Sequence, residues 1–363
     1  MNDRPTFGVE EELLLVDPAT GLPVAKNEEV ARSARREGVD LQLELTSCQV
    51  ETTSPVSTTA IELGKHLREL RETAAKAATD AGVSLLAVAV PPAVSEKFPI
   101  TDTPRYKRIA DRFGMVAHEQ GICGAHVHVS VPDREIAVAV SNRLRPWLPL
   151  LLALTANSAV YRGAETGYAS WRSVLWQRWP CAGPPPYLRS ASHFDQLVDM
   201  MVDSGAILDP GMVYWDVRPS ANFPTVEIRV SDVPATVAES TLLATLVRAL
   251  VMTATEDIAR GAEEPQFEEQ ALRAAYWKGA HDGIGGEAID VIDGRVLPAA
   301  DLLNTLLTRV RPALDELGEF DSAARGVAEV LAHGNGATRQ LSALRRRGEL
   351  SDVITECARR TLS

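Results

Sequence analysis

Glutamate and histidine side chains alternate with aliphatic ones in four short segments of this chain. Successive side chains of a β-strand point to opposite faces, so Glu10 and Glu12 share one side of the first segment. His126, His128 and Ser130 share one side of the third segment, opposite three valines. Carboxylates and imidazoles in such rows are typical of sites for hard cations and phosphates. The four segments that we predict as strands are Phe7–Val16, Leu41–Thr53, Ala125–Val131 and Thr225–Ser231.

The fourth segment adds a carboxylate and a guanidinium group to the same kind of face. Glu227 and Arg229 lie opposite Val226 and Ile228. An antiparallel sheet with one buried and one solvated face predicts alternation, but it does not predict ionisable groups at nearly every polar position. Clustered carboxylates repel one another unless cations neutralise them, so their convergence would imply bound metal. A ligand set rich in oxygen, with one or two imidazoles, favours magnesium or manganese over zinc.

Two further glutamates belong to the second segment, and their placement depends on the course of its backbone. Glu44 lies opposite the leucines on either side of it and therefore belongs to the polar face. Glu51 has the wrong parity to share that face on an unbroken strand. A bulge or turn near Thr46–Cys48 would restore the parity, and bulges are common beside active sites. Glu44 and Glu51 share a face only if the segment is interrupted there.

The bulk properties argue against several classes of protein. The chain has 363 residues and a net charge of −12, which argues against a nucleic-acid partner and against an anionic membrane surface. Its first residues do not resemble a signal peptide, and the longest apolar run, Trp147–Ala156, is too short to cross a bilayer. The scattered cysteines are typical of buried, reduced thiols, and they are Cys48, Cys123, Cys181 and Cys357. We therefore expect a soluble cytoplasmic protein.

Helix and turn signals describe the elements that must position these strands. Thr59–Glu62 is a capping box that opens a helix with Ile61, Leu67 and Leu70 in its apolar stripe, and Gly82 ends this helix. The other predicted elements are a strand at Val83–Val90, helices at Pro104–His118, Glu135–Arg145, Trp147–Val160 and Phe194–Asp203, a loop at Trp176–Tyr187, and an almost wholly helical part from Val237 to a last helix at Leu350–Leu362. The order predicts an α+β fold in which residues 1–363 form one domain, with helices on the outer face of one antiparallel sheet.

Longer motifs follow one another along most of the chain. They are Phe7–Leu13, Val50–Pro55, Cys123–Val129, Thr166–Arg172, Arg178–Pro186, Trp215–Ser220, Thr225–Asp232 and Gly334–Gln340. These motifs resemble the carboxylate–amine ligase family, also called glutamate–cysteine ligase type 2. The resemblance implies a glutamine synthetase-like fold, in which a curved antiparallel β-sheet forms a funnel for ATP and an amino-acid carboxylate.

The resemblance also implies an activity. Family members use ATP to convert a carboxylate into an acyl phosphate, which an amine attacks to form an amide with release of ADP and phosphate. The best-known activity is γ-glutamyl-cysteine formation, often weak in this branch. The implied cofactors are ATP and Mg²⁺ or Mn²⁺. The expected partners are small amino-acid substrates, and neither nucleic acid nor a membrane is expected. A homodimer is one possible assembly.

Matched position by position, the family motifs imply roles for individual residues. Arg229 and Glu51 are the expected catalytic residues, with Arg229 placed for the transferred phosphate. Substrate or nucleotide binding is expected for Arg172, Arg218, Arg339 and His128. Metal binding is expected for Glu10, Glu12, Glu44, Glu51, His126 and Glu227. Phosphoryl transfer to a carboxylate brings several negative oxygens together, so cations and a guanidinium group must hold them in line.

Departures from the family pattern bear on the choice of substrate. Ser130 stands where glycine is common, and Asn157–Tyr161 replaces a Ser-Pro-Phe type of segment. Lys278 and His281 stand where arginines are usual, and lysine lacks the planar fork of arginine. These changes leave the metal-binding set intact. We therefore expect the class of activity to hold, while the acceptor amine need not be cysteine.

Two other classes of protein explain parts of the pattern. A zinc hydrolase could use His126, His128 and one glutamate around an open coordination position, but it leaves the remaining acidic strands and Arg229 unexplained. A binding or regulatory protein could keep the fold without turnover, because fold does not determine function. Retention of the whole acidic set together with Arg229 argues against such a loss.

The ligase interpretation makes a geometric prediction. Metals that bridge a triphosphate lie roughly 3.5–4 Å apart, so their ligands should fall within about 12 Å of a common centre in one concave pocket. Glu11 should point away from this centre, because its parity is opposite to that of Glu10 and Glu12. His128 is expected to line the pocket without binding metal directly.

Overall fold

One antiparallel sheet lies at the centre of the structure. The computed structural model describes residues 4–94 and 97–363. Within these ranges the strands are β1 Phe7–Val16, β2 Gln42–Leu43, β3 Gln49–Thr53, β4 Ser84–Leu86, β5 Gly124–Ser130, β6 Val160–Tyr161, β7 Ala164–Glu165, β8 Val217–Pro219, β9 Thr225–Asp232, β10 Glu287–Asp290 and β11 Arg295–Pro298. Seven of them form the sheet in the order β2, β3, β1, β5, β9 and β8, with β4 beside β1. The predicted α+β class with an antiparallel sheet is confirmed.

Helices surround this sheet. They are α1 Asn27–Arg36, α2 Ala60–Asp80, α3 Pro104–Phe113, α4 Met115–His118, α5 Arg134–Leu144, α6 Leu148–Thr155, α7 Trp171–Trp176, α8 Ala191–Asp203, α9 Val237–Ala259, α10 Glu269–Asp282, α11 Ala299–Leu317, α12 Phe320–His333, α13 Gly336–Arg347 and α14 Leu350–Thr361. As predicted, the Thr59 hydroxyl caps α2 by accepting from the backbone N–H of Glu62. α9 is long and apolar enough to cross a membrane, but 72% of its most apolar stretch is buried inside the fold, so it is a core helix.

Strand register places the polar side chains of distant segments next to one another. β1 lies between β3 and β5, with Glu12 opposite Glu51 and Glu10 opposite His126. Directly opposed residues of antiparallel strands have Cβ atoms about 4.5–5.5 Å apart. The register alone therefore brings three carboxylates and an imidazole together.

β9 contains a one-residue bulge where the polar groups meet. Between Ala125 and Val127 of β5 the register shifts, so that two residues of β9, Arg229 and Val230, oppose His126 alone. A bulge increases the local twist and re-aims side chains. Here Nη1 of Arg229 lies 3.3 Å from Nδ1 of His126.

The aliphatic face of the sheet packs on helices, as predicted. Val9, Val127 and Ile228 are buried in one core with Leu243 and Leu246 of α9. Residues of α2, α5, α6, α10, α11 and α12 complete this core. Burial of apolar surface stabilises a fold by about 25 cal/mol per Å², so this layer supports the sheet from one side.

The polar face of the sheet is largely covered by protein. Glu227 and Arg229 are only 2% and 9% exposed. A second layer, made by α3, α8 and residues 204–216, covers this face with its own apolar core around Ile109, Phe194 and Trp215. The polar side chains therefore surround an interior cavity instead of an open surface.

The second predicted strand is interrupted. Leu41–Thr53 forms a hairpin of β2 and β3, with Glu44 and Thr46–Cys48 between the two strands. The interruption that Glu44 and Glu51 required is therefore present, as a turn. The strand predicted at Val83–Val90 consists only of β4.

Two predicted helices and one predicted apolar stripe differ from the structure. Pro104–His118 divides into α3 and α4 at Gly114, whose φ of 56° lies in the left-handed region. Trp147–Val160 is helical only to Thr155, and its last residue begins β6. Ile61 is 88% exposed and lies outside the apolar stripe of α2.

The β10–β11 hairpin interrupts the part of the chain after Val237 that was predicted to be almost wholly helical. The helix α7 ends at Trp176, the first residue of the predicted loop.

A buried ion pair lies behind the polar face of β1. The carboxylate of Glu11 accepts from Arg71 of α2 at 2.6 and 2.9 Å and from the hydroxyl of Ser240 at 2.5 Å. Arg71 also donates to three backbone carbonyl groups. Both charged side chains are fully buried, so each needs these partners. Glu11 points away from Glu10 and Glu12, as predicted.

Arg71→Met should destabilise the protein by about 3–5 kcal/mol, because it leaves the Glu11 carboxylate buried without its partner. Arg68→Met, on the exposed side of α2, is the matched control and should change the free energy of unfolding by less than about 0.5 kcal/mol. Urea denaturation of both variants measures the difference. Equal stabilities would contradict the importance of the pair.

Candidate active site

The polar side chains of β1, β5 and β9 contact one another on the covered face of the sheet. Nδ1 of His126 lies 3.2 Å from Oε2 of Glu10, and its Nε2 lies 3.9 Å from Oε1 of Glu12. Nε2 of His128 lies 3.5 Å from Oε1 of Glu10 and 4.0 Å from Oε1 of Glu227. Glu51 also lies 4.0 Å from Nδ1 of His126, so His126 faces three carboxylates and His128 faces two.

Three overlapping groups of these side chains have the geometry to hold a divalent cation. In each group the three ligand atoms, one per residue, lie within 4.8 Å of one another. The groups are Glu10 with Glu51 and His126, Glu10 with His128 and Glu227, and Glu12 with Glu44 and Glu51. Each group has at most one imidazole, and carboxylates supply the rest. This is the donor set that Mg²⁺ and Mn²⁺ prefer.

Unpaired ring nitrogens support the same fit. Nε2 of His126 and Nε2 of His128 are buried and have no hydrogen-bond partner within the residues that the structure describes. A buried polar atom without a partner costs about 1–3 kcal/mol. A cation bound by Glu10, His128 and Glu227 would complete the environment of the His128 nitrogen, while the unpaired nitrogen of His126 faces Glu12. The structure thus places His128 in a potential ligand group, whereas the sequence suggested only a wall residue.

Burial and mutual repulsion shift the pKa values of the carboxyl groups. Burial, followed by repulsion from Glu12, raises the pKa of Glu44 to about 8. Burial, followed by repulsion from Glu44, holds the pKa of Glu51 well above its usual range. Burial also acts on Glu10, but the close approach of His126 and His128 outweighs it and lowers the pKa of Glu10. A bound cation would favour the ionised form of all these groups.

Two guanidinium groups hold Glu227. Arg229 donates to Oε1 of this carboxylate, and Arg218 donates to Oε2 at 2.9 Å. Burial raises the pKa of Glu227, but the charges of Arg229 and Arg218 outweigh it and keep that pKa well below its usual range. Burial and the charge of Arg229 lower the pKa of His126, which favours the neutral, metal-binding form of the ring.

These groups line a cavity of about 190 Å³ between the sheet and the second layer. The sheet contributes Glu10, Glu12, Glu51, His126 and Arg229. The second layer contributes Tyr106 and Tyr214, and residues outside both layers contribute Gln120, Trp176 and Trp179. The side chain of Glu10 remains 20% exposed, so the cavity is connected to solvent. A charged floor and a mainly aromatic wall are thus brought together.

Most of the residues expected at the site converge there. Those that line the cavity are Glu10, Glu12, Glu44, Glu51, His126, Arg218 and Arg229. Glu227 and His128 adjoin it through their shared group with Glu10. Arg172 does not line the cavity. Its guanidinium group packs over Gly124, where a Cβ would lie 2.4 Å from Nη2, and over the ring of Trp176.

Arg339 is not brought to this cavity, contrary to expectation. It donates to the carboxylate of Glu239 at 2.6 Å and to the carbonyl of Gly334 at 2.7 Å. It lines a separate cavity among α9, α12 and α13. Its position in a family motif is explained by these contacts between helices.

The departures from the family pattern lie outside this cavity, and their predicted effect on the choice of acceptor stays a prediction. Lys278 pairs with Asp282 at 2.7 Å, and His281 stacks on the ring of Trp277. The side-chain amide of Asn157 donates to two backbone carbonyl groups. None of these three altered side chains lines the cavity.

Sequence reasoning missed the aromatic wall. Tyr106 and Arg105 of α3 reach the cavity through contacts with distant residues, the carbonyl of Leu43 and the carboxylate of Asp209. Such contacts leave no periodic signal. The predicted loop at Trp176–Tyr187 was an available sign, because it contains Trp176 and Trp179 of this wall.

Comparison with known proteins places the chain in a family. The model of glutamate-cysteine ligase family 2 matches residues 6–356. A protein named "Putative glutamate--cysteine ligase 2-2" from Mycobacterium sp. (strain KMS) is 59% identical over 364 residues, covering 100% of both chains. A protein named "Putative glutamate--cysteine ligase 2-1" from Nocardia farcinica (strain IFM 10152) is 59% identical over 360 residues. The match covers 99% of this chain and 94% of that protein.

Solved structures of low sequence identity share the fold. Glutamate–cysteine ligase from Francisella tularensis, in complex with AMP, has a TM-score of 0.73 at 13% identity and covers 99% of this chain and 88% of that chain. A bifunctional glutathione synthetase from Pasteurella multocida has a TM-score of 0.70 at 13% identity and covers 99% of this chain and 52% of that chain. The predicted glutamine synthetase-like fold is confirmed.

The matching family model and the curated relatives place the chain among the carboxylate–amine ligases, and this predicted class of enzyme is confirmed. Within that class, the chain belongs to glutamate-cysteine ligase family 2.

Glu51→Gln should abolish most of the thermal stabilisation that Mn²⁺ gives the protein, because two of the three ligand groups lose a carboxylate. Without metal, this variant should melt at or above the wild-type temperature, since repulsion is relieved. Glu239→Gln is the matched control, because Glu239 is similarly buried but pairs with Arg339 away from the cavity. Melting curves with and without Mn²⁺ provide the measurement. An equal Mn²⁺ shift in all three proteins would contradict the ligand assignment.

Proposed function

We propose that this enzyme activates a substrate carboxylate with ATP and joins it to an amine, with Mg²⁺ or Mn²⁺ bound by the acidic groups. The observation that supports this proposal most directly is the convergence of oxygen-rich ligand groups and Arg229 in one cavity. Four carboxylates would repel a triphosphate unless cations lay between them. The same cavity offers an aromatic wall for an amino-acid substrate.

In the first step a carboxylate oxygen forms a bond to the γ-phosphorus of ATP, and ADP leaves with the electrons of the broken P–O bond. In the second step the amine nitrogen attacks the acyl carbon, phosphate leaves, and the nitrogen loses a proton. The product is an amide. This sequence needs no protein nucleophile, and the four cysteines are buried.

Arg229 is the residue to hold the transferred phosphoryl group. It is buried beside His126, and burial lowers its pKa less than the neighbouring carboxylates raise it, so it stays charged. A guanidinium group binds two phosphate oxygens in fixed geometry. The residues that would hold the divalent cations are those of the three ligand groups, and such cations would neutralise charge that develops on the phosphoryl oxygens. Arg218 keeps Glu227 in place through its own two hydrogen bonds.

The family name supports γ-glutamyl transfer to an amino acid such as cysteine as the reaction. A different amine acceptor is the alternative. The side chains that decide between them are those of the wall, Tyr106, Trp176, Trp179 and Tyr214. We further propose that the enzyme acts in the cytoplasm on small amino-acid substrates, and a homodimer is one assembly to test.

A zinc hydrolase is less consistent with the geometry. Such a site needs two imidazoles on one ion, but no ligand group within the described residues contains both His126 and His128. Residues two apart on a strand are about 6.6 Å apart along its axis, which separates their ring nitrogens.

Arg229→Lys should lower kcat for ADP release by about 100- to 1,000-fold, because the charge is kept but the fork that stabilises the transferring phosphoryl group is lost. Arg339→Lys is the control and should keep nearly all activity, since Arg339 lies outside the cavity. Steady-state ADP release with Mg²⁺ and a panel of amino acids provides the measurement. A kcat for Arg229→Lys within threefold of wild type would sink the assigned role.

The acyl-phosphate route predicts an isotope transfer. When the reacting carboxylate of L-glutamate carries ¹⁸O, one labelled oxygen should appear in the released phosphate, because that oxygen bridges carbon and phosphorus in the intermediate. Mass spectrometry of the phosphate detects it. Unlabelled phosphate accompanied by amide product would rule the route out.

A further inference from the structure

Two uncharged hydrogen-bond donors on the wall of the cavity have no partner within the described residues. Gln120 is 4% exposed, lines the cavity, and leaves its Nε2 without a partner within the described residues. Nε1 of Trp176, on the same wall, is also buried and unpaired there. The three cavity guanidinium groups each pair with a carboxylate, as Arg105–Asp209, Arg218–Glu227 and Arg229–Glu227, although Nε of Arg229 has no partner within the described residues.

Trp179 determines which end of the Gln120 side chain is free. Its Nε1 donates to Oε1 of Gln120 at 2.8 Å. An indole N–H is a donor only, so a reversed amide would set two donors against each other. The Trp179 ring is in turn fixed by edge contacts with the rings of Phe113 and Tyr214 at 5.1 and 5.5 Å. The free group of Gln120 is therefore its N–H₂ donor.

An anionic oxygen ligand fits these donors. A buried donor without a partner costs about 1–3 kcal/mol, and a carboxylate has lone pairs enough for both. Gln120 precedes β5, whereas His128 lies near the far end of that strand. Gln120, His126 and Arg229 line the same cavity, so a substrate whose reacting carboxylate lies beside Arg229 and His126 has Gln120 within the cavity for its other end.

Building on the proposed ligase function, we propose that Gln120 donates a hydrogen bond to the non-reacting α-carboxylate of the amino-acid donor. Trp179 is the positioning residue that holds the amide of Gln120 in the required orientation. Trp176 offers the second N–H to the same carboxylate. The acidic floor of the cavity binds cations and the activated end of the substrate, while this polar corner of the aromatic wall selects substrates that carry a second carboxylate.

The test compares binding of L-glutamate with binding of 4-aminobutyrate, which keeps the reacting carboxylate and lacks the α-carboxylate. Gln120→Glu should weaken L-glutamate binding about 10- to 100-fold, because a charged hydrogen bond is lost and repulsion replaces it. Trp179→Phe keeps an aromatic ring, frees the amide to rotate, and should weaken L-glutamate binding about 3- to 10-fold. In both variants the affinity for 4-aminobutyrate should change by less than about threefold, as expected when only the contact with the α-carboxylate is affected. Calorimetry in the presence of Mg²⁺ and ADP provides the affinities.

Trp171→Phe is the matched control, because Nε1 of Trp171 is also buried and unpaired in the described residues but does not line the cavity. It should bind L-glutamate like wild type. The assignment is overturned by unchanged L-glutamate binding in Gln120→Glu, by equal losses for both ligands, or by a wild-type protein that does not bind L-glutamate. A failure of the ligase function gives a different result. In that case the variants still show this pattern of binding losses, but the wild-type protein releases no ADP.

Discussion

Repulsion among buried carboxylates is the constraint on which the rest of the structure depends. Glu10, Glu12, Glu44 and Glu51 line one small cavity, and burial with mutual repulsion raises the pKa values of the last two. This arrangement costs stability in the metal-free protein. It persists because the register of β1 with its neighbours fixes the backbone and because Arg229 supplies compensating charge. The clustered carboxylates lower stability when no cation is bound. The same cluster has affinity for cations and for the phosphates that accompany them.

The opposite face of β1 protects this register. A slip of one residue would exchange the two faces of the strand, moving Glu10 and Glu12 into the apolar core and Glu11 into the cavity. Arg71 and Ser240 oppose such a slip, because they bind both oxygens of the Glu11 carboxylate on the core side. We interpret this buried pair as a device for specifying register more than for adding stability, since desolvation offsets much of the attraction in a buried ion pair.

The sequence predicted the polar strands because a period of two residues shows which side chains share a face. Glu44 and Glu51 could be paired only conditionally, since parity cannot reveal a turn. The covering layer could not be predicted, because Tyr106 and Gln120 reach the cavity through tertiary contacts without any period. Arg339 shows the limit of motifs in another way. The structure places its side chain in a contact with Glu239, outside the cavity, and no sequence pattern could show this.

Anomalous diffraction from crystals grown with Mn²⁺ and ADP tests the central claim most directly. The account predicts manganese peaks at the group of Glu10, Glu51 and His126 and at the group of Glu10, His128 and Glu227. The ADP phosphates should lie between these peaks and Arg229. A single ion bound by both imidazoles, or ADP bound away from a metal-free cavity, would contradict the account.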